Sequence, residues 1–282
     1  MSEYFKNKVA VVTGAAGIIC SEVSKELAAQ GVTLALVDRA ADRVQQVAET
    51  IRANGGTCEC FSCDVTDKAV VDAVAAQIVE RFGRVDFLVN GAGGNQAPAT
   101  PNIPKFDPAE LEDVQPEGLR GLYNVDFAAF ESVLKVNTMG TFYPTLAFAK
   151  YMIRQGGGAV VNFASMNAYC PLTRNFSYAM AKAAIANLTQ SMAAYFGETG
   201  IRINAVAPGF VINDRSRLIL GSVEDGLTER GSKVIAHTPM SKFGTAMDMC
   251  GCVKFLLDET ASGFITGITV PVDGGFLTLS GV

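Results

Sequence analysis

One histidine, no excess of basic residues and no long apolar run are the shortages that bound what this sequence can do. With 23 Lys and Arg against 28 Asp and Glu, the formal net charge is −5. Phosphate backbones are held by clustered cations, so no nucleic-acid surface is expected. The apolar run Val9 to Thr13 is too short for a leader segment, and nothing elsewhere approaches the roughly 18 residues a bilayer requires. A cytoplasmic protein without a membrane partner is expected. Cys58, Cys60 and Cys63 form a C-x-C-x2-C cluster, but no second pair lies downstream and His237 is the one histidine. A metal site would lack its fourth ligand, so none is expected. Cys58 and Cys60 share a face of an expected strand, where cysteine behaves as a small hydrophobe. An odd count of seven thiols fits a reducing compartment.

What is present is a rhythm of short apolar runs and helical stretches. Strands are expected at Lys8–Val12, Thr33–Val37, Cys58–Ser62 and Val85–Val89, separated by helices from about Ile18 to Gln30, Ala41 to Asn54 and Lys68 to Phe82. Asp67 is placed to cap the third helix, and Gly31 and Gly55-Gly56 to end the first two. A long helix at about Phe127–Arg154, a strand at Ala159–Phe163, a helix at about Ser177–Glu198 and strands at Arg202–Ala205 and Thr269–Val272 continue the pattern. Such βαβ alternation implies an α/β fold of Rossmann type, a doubly wound parallel sheet with helices on both faces. With no linker, repeat or low-complexity tract, residues 1–282 are expected to form one dinucleotide-binding and catalytic domain.

Two segments break the rhythm. Residues 94–126 carry Pro98, Pro101, Pro104, Pro108 and Pro116, and residues 210–243 hold one short helix near Leu227–Ala236. Both follow the C-terminal ends of strands, where open α/β sheets bind ligands, so both are expected at the site.

The first strand runs into Thr13-Gly14-Ala15-Ala16-Gly17 and then a helix. Glycines there let a pyrophosphate approach the backbone at a positive helix end, although any tight turn also uses glycine. Asp38 closes the second strand, where a carboxylate can take ribose hydroxyls and repel a 2′-phosphate, which favours NAD over NADP. Arg39 beside it weakens that exclusion. Tyr178 and Lys182, four residues apart, share one face of a helix. A neighbouring ammonium favours the phenolate and would bring Tyr178 toward the range of a useful acid or base. Ser165, at the end of the fifth strand, is placed to hydrogen-bond a reacting oxygen.

These motifs, in this order, resemble the short-chain dehydrogenase/reductase family over nearly the whole chain. The resemblance implies catalytic roles for Asn137, Ser165, Tyr178 and Lys182, with Asn137 holding a water in a proton relay; a structural kink is the other reading of a mid-helix Asn. It implies cofactor contacts from Thr13, Gly14, Gly17, Ile18, Asp38, Tyr178 and Lys182, from Asp64 and Val65 near the adenine, and from Asn90, Ala92 and Gly93 of an N-x-A-G motif. Pro208, Gly209 and Val211 match the family's P-G segment. Two departures stand out. The usual T-G-x3-G-x-G is T-G-x2-G here, with Ile18-Ile19-Cys20 where another glycine is expected, and Asn213 replaces a common Thr.

Within the family, Gly91–Asn95, Ser165–Ala168, Leu227–Gly231, His237–Met240 and Asp273–Phe276 look most like a sugar-acid subgroup, the D-mannonate oxidoreductases or fructuronate reductases. The resemblance implies a sugar-acid substrate and a homodimer or homotetramer. Asn95, Asn167, Arg174, Arg215 and Arg217 are the candidate substrate contacts, since Arg grips a carboxylate with two donors; each arginine taken singly also fits a solvated surface position. His237 is read as a satisfied loop or helix-end residue. Another sugar-acid or polyol dehydrogenase, a 3-oxoacyl reductase, or a non-catalytic NAD-binding sensor are the competing readings.

Overall fold

The structure, a computed structural model, describes residues 3–114, 116–222 and 226–279. Five buried residues in a row make β1 (Val9–Thr13), as a strand covered on both faces requires. The chain then alternates through α1 (Ile18–Ala29), β2 (Thr33–Asp38), α2 (Ala41–Ala53), β3 (Cys58–Ser62), α3 (Lys68–Phe82) and β4 (Phe87–Asn90). After α4 (Phe127–Arg154) come β5 (Gly158–Phe163), α5 (Phe176–Tyr195) and β6 (Ile201–Pro208). The remainder holds α6 (Asp214–Leu220), a short antiparallel pair of β7 (Gly221–Ser222) and β8 (Gly226–Leu227), then α7 (Glu229–His237), α8 (Ala246–Leu257), α9 (Glu259–Ser262) and β9 (Thr269–Val272).

Seven strands pair in the order β3-β2-β1-β4-β5-β6-β9, every pair parallel. Period-two alternation divides their side chains between two cores. Ala10, Val12, Leu34, Leu36 and Val161 pack under α1, α2 and α8, whereas Val11, Ala35, Val37, Leu88 and Val160 pack under α3, α4 and α5. Winding reverses between β1 and β4, leaving a crevice at their C-terminal ends.

Local chemistry sets the helix ends. Asp67 caps α3 by accepting from the Ala69 and Val70 amides, and Gly83 closes it in the left-handed region at φ +76°. Asp126 caps α4 at the Ala129 amide. The sequence reading starts the fourth strand at Val85; it starts at Phe87, because the buried Asp86 carboxylate accepts from the Val9 amide and pairs with Lys8 and Arg84. The fifth helix also ends earlier, at Tyr195, with a 3-10 turn over Gly197–Thr199. Neither α6 nor α8 is anticipated from the sequence.

The proline-rich segment is built of turns. Short 3-10 helices cover Ala97–Ala99, Pro108–Leu111 and Leu122–Asn124. Buried Glu110 ties the second to the third, accepting from the amides of Asp107 and Tyr123. Phe210, Leu220, Val234 and Phe243 give the second segment its own small apolar cluster. Among the described residues, no helix is long and apolar enough to cross a membrane.

Candidate active site

At the crevice, the loop after β1 is fastened to the loop after β4. The Thr13 hydroxyl accepts from the amides of Gly91 (3.2 Å) and Ala92 (3.3 Å). Gly14 has φ +64°, and a Cβ there would lie 2.7 Å from the Ala92 nitrogen, so only glycine fits. Gly17 caps α1 without a side-chain bond, and the Ser21 amide is the first to reach back to it. The amides of Ile18, Ile19 and Cys20 therefore have no intrahelical acceptor, and they stand at the positive end of a helix with no acid in its first turn. Asp38 crosses from β2 to this turn: one carboxylate oxygen accepts from the Ala16 amide (3.0 Å), the other from the Ala40 amide (2.8 Å).

The departure from the family's glycine pattern has a visible compensation. Cys20 is buried, and its Sγ fills the space beneath Gly91, where an added Cβ would come within 1.9 Å of the sulfur. The loop after β4 surrenders a side chain so that α1 can carry one. Burial pushes the Cys20 thiol up to about 12, so it stays protonated.

A cavity of about 400 Å³ opens from this turn toward α5 and α6. Gly14, Gly17, Ile18 and Gly93 line its cofactor end, and Pro208, Gly209 and Val211 its far wall. Gly209 lies so near β9 that a Cβ would come within 2.6 Å of the Asp273 Cα. Asn213 also lines the cavity, where its side chain caps α6 by accepting from the Ser216 amide (3.0 Å).

Ser165, Tyr178 and Lys182 meet at the cavity floor. Ser165 follows β5 and Tyr178 lies in the first turn of α5, and both hydroxyl-bearing side chains line the same cavity. Burial pushes the Tyr178 phenol above its ordinary value of 10.0, and the neighbouring Ser165 hydroxyl draws it back in part. The expected lowering by the Lys182 ammonium does not contribute to that balance, a correction to the argument from spacing. Lys182 Nζ sits 5.4 Å from the ring centroid and donates to the Phe163 carbonyl at 2.7 Å. Lys182 is 6% exposed, and burial lowers it from 10.5 to about 8.

Asn137 acts on the loop beside them. Its amide donates to the Gly94 and Val133 carbonyls (2.8 Å each), and its Oδ1 accepts from the Gly94 amide (3.2 Å). A Cβ on Gly93 would strike that Oδ1 at 2.4 Å and would lie 3.7 Å from Lys182 Nζ, so loop, Asn137 and lysine are close neighbours.

Several candidates are spent elsewhere. Asn90 does not send its side chain to the cavity: it is 2% exposed and donates to Thr145 and to Asn162, which in turn donates to Thr189. This buried polar chain bolts β4 and β5 to α4 and α5. Asp64 holds the Thr66 amide and hydroxyl, which keep its carboxyl below the usual range, and Val65 is buried under Gly140. Asn95 likewise secures its loop, donating to Asn175 (3.0 Å) and accepting from the Gln96 amide. Asn167 accepts from the Leu172 amide, but its Nδ2 is buried without a partner next to Ser165. Arg174 donates to the Asn102 carbonyl (3.1 Å). Arg217 is exposed, and like Asn95, Asn167 and Arg174 it is not among the residues lining the cavity. The Arg215 side chain lies outside the described residues. His237 ends α7 with its ring edge-on to Phe276 (4.5 Å).

Cys58 and Cys60 point their thiols at the Ala48 and Val44 carbonyls of α2. Burial raises Cys63 to about 11. Arg230, absent from the candidates, is partly buried, and burial together with the Arg174 charge lowers it from its ordinary value.

Comparison with known proteins agrees with this geometry. The uncharacterized oxidoreductase UxuB of Bacillus subtilis is 39% identical over 282 residues, covering 100% of this chain and 99% of its own. The D-threitol dehydrogenase of Mycolicibacterium smegmatis is 30% identical over 269 residues, covering 95% of this chain and 92% of its own. A crystal structure from Haemophilus influenzae, provisionally assigned as a D-mannonate oxidoreductase and holding NAD, superposes with a TM-score of 0.91 at 38% identity, covering 98% of this chain and 97% of that one. Residues 8–218 match the short chain dehydrogenase family, and the protein is an oxidoreductase belonging to it.

Proposed function

We propose that the protein catalyses reversible, NAD-linked interconversion of D-mannonate and D-fructuronate. The observation that carries the chemistry is the convergence of Ser165, Tyr178 and buried Lys182 on one open cavity. The cofactor end fits a dinucleotide: free amides at the start of α1, a turn that excludes side chains at Gly14, and Asp38 bonded to that turn. NAD, when bound, supplies the hydride donor or acceptor. Asp38 disfavours a 2′-phosphate, so NADP is the poorer fit.

In the alcohol-to-ketone direction the substrate O–H proton passes to Tyr178 in its phenolate form as the C–H hydride departs; in reduction the phenol gives that proton back. Ser165 hydrogen-bonds the reacting oxygen and holds the phenol in line. Lys182, anchored on the Phe163 carbonyl, places a positive charge beneath the ring. Asn137 fixes Gly94, and with it the loop that forms one wall. The sugar-acid assignment is supported by likeness to the Haemophilus influenzae protein; likeness to a D-threitol dehydrogenase favours a polyol as the second reading. We read residues 1–282 as one catalytic unit that assembles as a dimer or tetramer, since α5 turns Met180, Ala183 and Ala184 outward.

The test is a panel of D-mannonate, D-fructuronate, hexitols and a 3-oxoacyl thioester with NAD(H) and NADP(H). Highest kcat/KM on the sugar-acid pair with NAD(H) supports the reading, and a better polyol or thioester overturns it. Tyr178→Phe should lower kcat roughly 10²- to 10⁴-fold with NADH affinity retained. Unchanged turnover in that variant would remove Tyr178 from the chemistry.

A further inference from the structure

Between Ser165 and Tyr178 runs a tight segment of chain, and one buried side chain sets its course. Ser165 follows β5, and Met166–Ala168 then make a single 3-10 turn. Ser165 caps that turn, its Oγ accepting from the Asn167 amide at 3.2 Å. Asn167 is 4% exposed and is not among the residues lining the cavity, so any effect on the reaction passes through a neighbour. Its Oδ1 accepts from the Leu172 amide at 2.8 Å, which folds the segment back on itself. The Leu172 carbonyl accepts in turn from the Asn175 amide at 3.4 Å. Asn175 is the N-cap of α5, three residues before Tyr178.

This arrangement has a cost. With Oδ1 turned to the Leu172 amide, the Nδ2 end of Asn167 is left buried without a partner. An unbonded buried N–H group destabilises a fold, and an apolar side chain would avoid the penalty. What asparagine supplies in return is the acceptor for Leu172, and with it a fixed path from Ser165 to the start of α5. The consequence for Ser165 is directional. A hydroxyl has one proton and two lone pairs, and the Asn167 amide occupies one of the pairs. The bond polarises the hydroxyl as a donor and leaves its proton for the oxygen that reacts.

We propose that Asn167 is a positioning residue for proton transfer. Its amide aims the Ser165 hydroxyl into the cavity, and its Oδ1 sets the placement of Ser165 relative to Tyr178. This role rests on the catalytic reading of Ser165 and Tyr178 above, and not on the choice of sugar acid.

The experiment is a double-mutant cycle of Asn167→Ala and Ser165→Ala. Turnover is measured on the panel substrate that the wild type uses best, beside NADH affinity and melting temperature. Asn167→Ala should lower kcat roughly ten- to a hundredfold, the scale of a reacting group displaced by about 1 Å. KM and NADH affinity should stay within about twofold, because the interaction lost is made only in the transition state. In a Ser165→Ala background the same substitution should change kcat less than about twofold, since no hydroxyl remains to be aimed. Should Asn167→Ala fail to fold, Asn167→Ser takes its place in the cycle, its shorter side chain giving up the Leu172 bond. Losses in kcat that multiply across the cycle overturn the proposal, as does a rise in KM at constant kcat, which would make Asn167 a substrate contact. Unchanged kcat in Asn167→Ala with Ser165→Ala impaired overturns the positioning role and leaves the catalytic reading intact. Full turnover in Ser165→Ala overturns both.

Discussion

The floor of the site and its rim are built on different principles. On the floor, backbone does the work: side chains are excluded at Gly14, Gly91 and Gly93, helix amides are left free at α1, and packed strands lie beneath. On the rim, side chains stitch together segments distant in sequence. Asn137 holds Gly94 across 43 residues, Asn95 holds Asn175 across 80 and Arg174 holds Asn102 across 72. Few apolar side chains are buried there, the largest cluster being Leu220, Val234 and Phe243. A backbone-built floor suits a cofactor shared by many enzymes, whereas a rim of exchangeable polar latches lets one fold accept different substrates.

The largest expected effect comes from the one charged group buried in the floor. Lys182→Met keeps the volume and removes the ammonium, so kcat should fall roughly 10²- to 10⁴-fold. Stability should move the other way. In the unfolded chain this lysine titrates near 10.5 and in the folded one near 8, so below about 8 the native state carries a buried charge that costs of order 3 kcal/mol. Between those values the unfolded state binds the extra proton, and native stability rises with pH. Urea titrations across pH 7–11 should show that rise in the wild type and not in Lys182→Met. Activity that depends on the ammonium should decline above about pH 8. Equal pH dependence of stability in both proteins would separate Lys182 from the cavity floor.

Next in size is the packing of Cys20 under Gly91, which makes a claim about the floor that can be broken with a double-mutant cycle. Gly91→Ala places a Cβ on the sulfur and should cost about 2–3 kcal/mol, with NADH affinity falling in step. In a Cys20→Ala background the Sγ is gone, the remaining Cβ lies 3.5 Å away, and the same substitution should cost about 1 kcal/mol or less. Additive losses would mean that Gly91 is glycine for its contact with the Thr13 carbonyl instead.

The contrast between floor and rim also explains what could be read from the sequence. Strand β1 is apolar from Val9 to Val12 and runs into Gly14, and β2 is apolar at its buried positions and ends at Asp38, so composition and punctuation locate them. The Gly14 turn, Asp38, Ser165, Tyr178 and Lys182 are legible because each is tied to an element end. By contrast, α8 draws its apolar face from Met249, Cys250 and Val253, a weak amphipathic signal, and goes unread. Asn90 sits in a motif that points to the cofactor, yet its partner Asn162 is 72 residues away, and spacing carries no trace of that bond. Arg217 and Arg230 are the same residue type on neighbouring helices; only the packing of α6 and α7 leaves the first exposed and the second partly buried.

The smallest expected effect lies at the rim. Asn95→Ala removes the bonds to Asn175 and Thr100 but leaves no charge stranded, since Asn175 faces solvent in part. The loss should be about 1 kcal/mol, close to the net worth of a hydrogen bond. If the rim only positions substrate, KM for the substrate should rise severalfold while NADH affinity and kcat hold, because Asn95 bonds only to residues of the rim. A matching fall in kcat would mean that the latch reaches the reacting atoms through Gly94 and Asn137, and the two regions would then have to be treated as one mechanical unit.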